Sequence, residues 1–335
     1  MKKALALLLA CVMAFLLLSA CAPAQAPAQA PAADAAADAG QAAESKTFKI
    51  GLTLAERDQF LSGMEAAIIA AAKEKGCELV PFDAQASTEK QLEHIQAFAL
   101  GDYDLIIVNL TDTNTGEDII ELVGWDKPLV FVDRRPSDEL MEDDIRCYVG
   151  AEEYLAGMYQ AEFLIEYFKD KEDKTLDVVL FKGRLGLENV EQRSLGAIET
   201  LEKAGFTVNK VFDDTANWDR VIAVDKMTTF LGTGKSFDCV ICNNDEMALG
   251  VIEAMDLAGV DPSLTPVVGI DGTEMGLEAI RSGKMAMTAY QSPVDVGRAC
   301  FDQAYAVLTT GKMSAFKDVP FIVITGANLN EYFPQ

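Results

Sequence analysis

The chain has 335 residues, half of them hydrophobic, with 28 basic against 53 acidic residues and a formal charge of −25. So acidic a surface is a poor partner for nucleic acid or anionic lipid. A single histidine, His94, argues against histidine-based catalysis or a metal centre, so neither a metal nor a cofactor is expected.

The first residues read as an export signal. Lys2 and Lys3 precede an apolar run from Ala4 to Leu18 that closes on Leu18-Ser19-Ala20-Cys21. That pattern predicts a lipoprotein signal peptide over 1–20 and lipid attachment at Cys21, because the run is short for a spanning helix and ends in small residues. Residues 21–46 are mostly Ala, Pro, Gln, Gly and Asp, without a large apolar residue to bury, and predict a disordered tether. Contact with the membrane is then expected through the lipid only, and the folded body lies outside the cytoplasm.

From Thr47 onward short apolar runs alternate with longer amphipathic ones. The runs predict strands at Phe48–Leu54, Glu78–Phe82, Leu105–Asn109, Leu129–Val132, Asp177–Phe181, Val208–Phe212, Cys239–Cys242, Val267–Ile270 and Met285–Tyr290. Helical spacing separates most of them, as at Gly63–Lys75, Glu152–Phe168, Glu191–Ala204, Asp245–Ala258 and Val294–Leu308. His94 falls in such a stretch and is expected on a helix surface. Cys77, Cys147, Cys239, Cys242 and Cys300 are odd in number, and the odd separation of Cys239 and Cys242 in a strand sends their thiols to opposite faces. Buried free thiols are the expectation.

Alternating β and α elements with near-continuous apolar strands predict an α/β protein of two doubly wound parallel-sheet lobes. The break is placed near Gly150–Glu152, after a long loop at Pro136–Arg146. In such sheets ligands bind at the carboxyl ends of strands, and here apolar runs end repeatedly in hydrogen-bonding residues. Examples are Asn109 to Asp112, Asp133-Arg134, Asn243-Asn244-Asp245, Asp271-Gly272 and Gln291. Helix capping explains any one of these as well. Together, planar donors and acceptors with arginines beside carboxylates suit a neutral ring rich in hydroxyls, and aromatics such as Phe60 and Trp218 suit its apolar C–H faces.

Several stretches carry a resemblance over Phe48 to Phe321. Asp83-Ala84-Gln85, Asp133-Arg134, Thr215-Ala216-Asn217-Trp218-Asp219-Arg220, Asn243 to Gly250 and Val268 to Thr273 resemble, in the same order, the type I periplasmic sugar-binding proteins of ABC importers. The resemblance implies lobes at 47–151 plus 292–320 and 152–291 plus 321–335, joined by three chain crossings that act as a hinge. It implies ligand contacts from Asp58, Phe60, Asp133, Arg134, Arg193, Trp218, Asn244, Asp271 and Gln291, with Asp112 a further candidate. Leu61 stands where a second aromatic is usual, and Arg57-Asp58-Gln59-Phe60 leans toward inositol-like ligands. The implied protein is a monomeric substrate-binding lipoprotein, not an enzyme, that delivers a neutral monosaccharide or cyclitol to a permease. A chemosensory receptor could use the same clamp, whereas a repressor of the lac type would need a basic helix-turn-helix that this chain does not offer in front of its clamp.

Overall fold

The computed structural model describes residues 47–334, so the expected signal peptide, Cys21 and nearly all of the tether lie outside the described residues. Lys49–Leu54 (β1) leads through Gln59–Glu74 (α1) to Glu78–Asp83 (β2), then Thr88–Leu100 (α2), Leu105–Val108 (β3), Gly116–Val123 (α3), Leu129–Val132 (β4) and Arg146–Gly150 (β5). The same rhythm follows in Glu153–Tyr167 (α4), Thr175–Lys182 (β6), Glu188–Lys203 (α5), Thr207–Thr215 (β7), Arg220–Leu231 (α6), Cys239–Cys242 (β8), Asp245–Ala258 (α7), Val267–Asp271 (β9), Glu274–Arg281 (α8) and Met287–Tyr290 (β10). Pro293–Thr310 (α9), Phe316–Asp318 (β11), Ile322–Thr325 (β12) and Leu329–Tyr332 (α10) complete the fold.

The strands form two six-stranded sheets, ordered β11-β5-β4-β3-β1-β2 and β12-β10-β9-β8-β6-β7. Pairing is parallel throughout, except that β12 runs antiparallel to β10. Both sheets are doubly wound, and their strand order reverses between β1 and β3 and between β6 and β8. The central strands are apolar because both of their faces are covered: every residue of β3, β4 and β8 is buried. In β8, Val240 and Cys242 join the apolar cluster on one face while Cys239 and Ile241 join that on the other, as a two-residue repeat requires. The five cysteines of the described residues are free, and burial pushes the thiols of Cys239, Cys242 and Cys300 up and that of Cys147 to about 12. Those four are inert packing groups.

Three strands depart from the sequence expectation. β5 opens on Arg146 at the end of the expected loop, a charge tolerated in a buried strand because its guanidinium donates to the carbonyls of Leu140 at 2.6 Å and Trp125 at 2.7 Å. β11 is exposed at all three positions and carries no apolar signal, and β12 is a short edge strand. His94 is not simply on a surface either. Its Nδ1 lies 3.1 Å from Oγ1 of buried Thr53, its ring sits 4.9 Å from that of Phe82, and burial lowers its pKa.

The chain passes between the sheets after β5, between β10 and α9, and between β11 and β12. These passages set the two strand-end edges opposite one another.

Candidate functional site

Helices α1, α5 and α7 each begin just beyond the carboxyl end of a strand at an order reversal, where parallel sheets leave a crevice. Asp58 caps α1, its Oδ1 accepting from Leu61 N at 2.7 Å, and Asn244 caps α7 by accepting from Met247 N at 3.0 Å. Capping and cavity lining are here the same position. Asp58, Phe60, Leu61, Asp133 and Arg134 from one lobe, with Asn189, Arg193, Trp218, Asn244 and Asp271 from the other, surround a narrow cavity of about 30 Å³.

Eight of the ten ligand positions expected from sequence therefore share one cavity. Asp112 does not line it: its Oδ1 accepts from Asn114 N at 2.9 Å and caps the short turn Thr113–Thr115. Gln291 is also outside the lining, and its Nε2 donates to Val319 O at 2.9 Å, tying the second passage between the lobes to the third. The sequence reading passes over Asn189, although it stands four residues before Arg193 on α5 and so on the same helical face.

The two arginines are fixed by outer partners. Arg134, 3% exposed, donates from Nη1 to Leu110 O at 3.0 Å and from Nη2 to Glu56 at 2.9 Å. Arg193 donates to Glu153 at 2.6 Å and to Asn243 O at 2.8 Å, and its Nη1 lies 3.6 Å from Asp271. Burial opposes the Arg193 charge, but Glu153 and Asp271 outweigh it and keep the guanidinium protonated. The Arg193 guanidinium also lies over the Trp218 ring, 5.7 Å from its centroid. Gly183 lets the indole lie against the backbone, since a β-carbon there would meet Trp218 at 2.2 Å.

The carboxylates are desolvated, and Asp133 and Asp271 sit on strained backbone. Burial pushes Asp58 and Asp133 up to about 6 and lifts Asp271 as well, with Arg134 and Arg193 pulling the other way. Asp133, Trp218 and Asp271 hold positive φ values of 66°, 70° and 110°, a backbone cost of about 1–3 kcal/mol each that tends to collect at functional sites. Trp218 Nε1 and Asn189 Oδ1 are buried without a hydrogen-bond partner among the described residues. Buried polar groups are rarely left so, and both belong to cavity-lining residues.

A model of the periplasmic binding protein domain matches residues 50–313. The chain belongs to the periplasmic binding protein family, among its type I sugar-binding members. A putative rhizopine-binding protein of Rhizobium meliloti is 30% identical over 261 residues, which cover 77% of this chain and 82% of that protein. The ribose import binding protein RbsB of Salmonella typhimurium is 26% identical over 241 residues, 72% of this chain and 77% of the relative. An ABC transporter solute binding protein from Bacillus halodurans C-125, solved with bound myo-inositol, shares the fold at a TM-score of 0.79 and 28% identity, covering 87% of this chain and 98% of that one. These relatives are named as binding proteins. This chain is likewise a binding protein and not an enzyme, of a family that works outside the cytoplasm.

Two ion pairs of this binding protein span the lobes and escape sequence inspection. Glu56, beyond β1, accepts from Arg134 of its own lobe on Oε1 and from Arg184, beyond β6, on Oε2 at 2.8 Å. Arg135 likewise reaches Glu152, at the start of the second lobe, at 2.7 Å. No helix among the described residues is long and apolar enough to cross a membrane.

Proposed function

We propose that this protein is the substrate-binding subunit of an ABC importer, which closes its lobes over a monosaccharide or cyclitol and presents it, chemically unaltered, to a permease. The observation that carries the reading is the cavity shared by both lobes, in which Trp218 Nε1 and Asn189 Oδ1 await partners. Asp and Arg side chains offer paired acceptors and donors to vicinal hydroxyls, while Phe60 and Trp218 offer flat apolar faces to the ring. The ribose-import relative and the myo-inositol-bound neighbour favour a ring of this kind. The ligand touches both lobes only when they are closed, so it favours the closed state by differential affinity.

The ligand-binding set is Asp58, Phe60, Leu61, Asp133 and Arg134 with Asn189, Arg193, Trp218, Asn244 and Asp271, and Gln291 acts at the hinge. The protein works as a monomer held at the membrane by a lipid on Cys21. Thermal shift over pentoses, hexoses and inositols tests the reading. A ring at a hundred times its Kd stabilises by about 2.7 kcal/mol, or roughly 4–5 °C for a body of this size. Recovery of that ring unchanged is the expected companion result. No shift with any sugar or cyclitol at millimolar concentration would refute the clamp.

A further inference from the structure

One fully buried carboxylate, that of Asp245, does not line the cavity but begins α7 directly after Asn244, which does. An acidic residue at that position favours a helix start. Asn244 already caps α7, however, and the Asp245 carboxylate turns instead toward β9 and β10. Its Oδ2 accepts from Thr273 N at 2.8 Å and its Oδ1 from Thr288 Oγ1 at 2.8 Å, while Thr288 Oγ1 in turn accepts from Gly272 N at 3.2 Å. Two glycines make room for it: a β-carbon on Gly269 would strike Oδ1, and one on Gly276 would strike Oδ2. Burial pushes the Asp245 carboxyl up, and the Thr288, Thr273 and Gly272 donors pull it back.

Two of those donors belong to one turn. Asp271, Gly272 and Thr273 carry the chain from β9 into α8, with φ of 110° at Asp271 and 73° at Gly272. The left-handed conformation is open to glycine but strained for an aspartate, and it persists only where the surroundings over-determine it. Asp245 holds the turn from one side, through Thr273 N and the Thr288 hydroxyl, and Gln291 N holds it from the other, donating to Asp271 O at 3.0 Å. The turn in this form sets the Asp271 side chain in the cavity, 3.6 Å from Arg193. Were it free to relax before binding, the ordering would be subtracted from the affinity of the ligand. Resting on the clamp read above, we propose that Asp245 is a positioning residue of the binding site: it holds the 271–273 turn in its strained form in the ligand-free protein, so that Asp271 meets the ligand already aimed.

Calorimetry with myo-inositol and D-ribose, or with the ring of the wider panel that gives the largest thermal shift, tests this. Hydrogen bonds to a charged group are worth roughly tenfold or more, so Asp245→Asn and Thr288→Val should each raise Kd about tenfold, whereas Thr288→Ser, which keeps the hydroxyl, should stay within about twofold of the unaltered protein. In an Asp271→Asn background Asp245→Asn should change Kd by about twofold or less, because its effect runs through Asp271. An equal loss in both backgrounds would make Asp245 a general support of its lobe and overturn the positioning role. Unaltered affinity in both Asp245→Asn and Thr288→Val would overturn it too, and leave the clamp standing. Should those variants not fold, hydrogen exchange on the unaltered, ligand-free protein decides: the Gly272 and Thr273 amides should be protected like those of β9, and exchange as fast as in an open loop would overturn the proposal. Absence of binding by every ring would remove the clamp reading and this inference with it.

Discussion

Replacing Arg184 by Met isolates the electrostatic latch between the lobes. The substitution keeps most of the apolar stem and removes the guanidinium that donates to Glu56 at 2.8 Å across the cleft. Arg184 is the cleaner partner to change, because Glu56 retains Arg134 at 2.9 Å and no buried charge is stranded. Side-chain exposures of 33% for Arg184 and 22% for Glu56 place the pair between a surface ion pair and a buried one. Exposed pairs give roughly 0.2–1 kcal/mol and charged hydrogen bonds about 1.5–3 kcal/mol, so about 1 kcal/mol is a fair value here. Because the pair requires closed lobes, that energy is lost from the closed state alone. A ligand that draws on closure then binds about fivefold more weakly, through faster release rather than slower capture. Titration calorimetry and stopped-flow release, with the ring that gives the largest thermal shift, measure both quantities. The difference should shrink as salt rises past ~0.15 M, where the screening length falls to about 8 Å. Wild-type affinity and release at low salt would show that Arg184 takes no part in closure.

Trp218→Phe keeps an aromatic face but removes the unpartnered Nε1–H, and should weaken ligand binding by about 0.5–1.5 kcal/mol in calorimetry. Trp218→Ala should also destabilise the free protein, by about 3–5 kcal/mol in denaturant titration, since Trp218 is 7% exposed and belongs to the apolar core of its lobe. The buried Asp58 and Asp133 carboxyls, at about 6 when folded against about 3.9 unfolded, bind more protons in the folded state between those values. The ligand-free protein therefore loses stability as pH rises through about 4 to 6, by up to roughly 2–3 kcal/mol for Asp133. Its melting temperature should climb on acidification from pH 7.5 to 5, with a flatter climb in Asp133→Asn, and a fall would refute the assignment. Cys21→Ser should move the protein from the membrane pellet to the soluble fraction, and mass spectrometry should find no acyl chain.

How legible the site is depends on the range over which each part is encoded. Asp133, Asn244 and Asp271 follow apolar runs directly, so strand direction and sheet topology bring them to one edge without knowledge of the rest of the chain. Asp112 follows such a run too, yet its carboxylate turns back on Asn114, because a capping residue satisfies its own backbone unless the fold opens a cavity beside it. Asp58 and Asn244 cap helices and line the cavity at once, so weighing a cap against a ligand contact poses a false choice at the crevice of a doubly wound sheet. The contacts that cross between the lobes are of another kind. Glu56 and Arg184 are 128 residues apart, in loops whose composition announces nothing, and meet only because two separately folded sheets face one another. Asn189 lies between these cases: its spacing to Arg193 is local, but its significance depends on which face of α5 the opposite lobe leaves uncovered. Chemistry at a strand end is thus written in a few neighbouring residues. The energy of closing belongs to the orientation of the lobes, and a substitution such as Arg184→Met can alter it without touching the cavity.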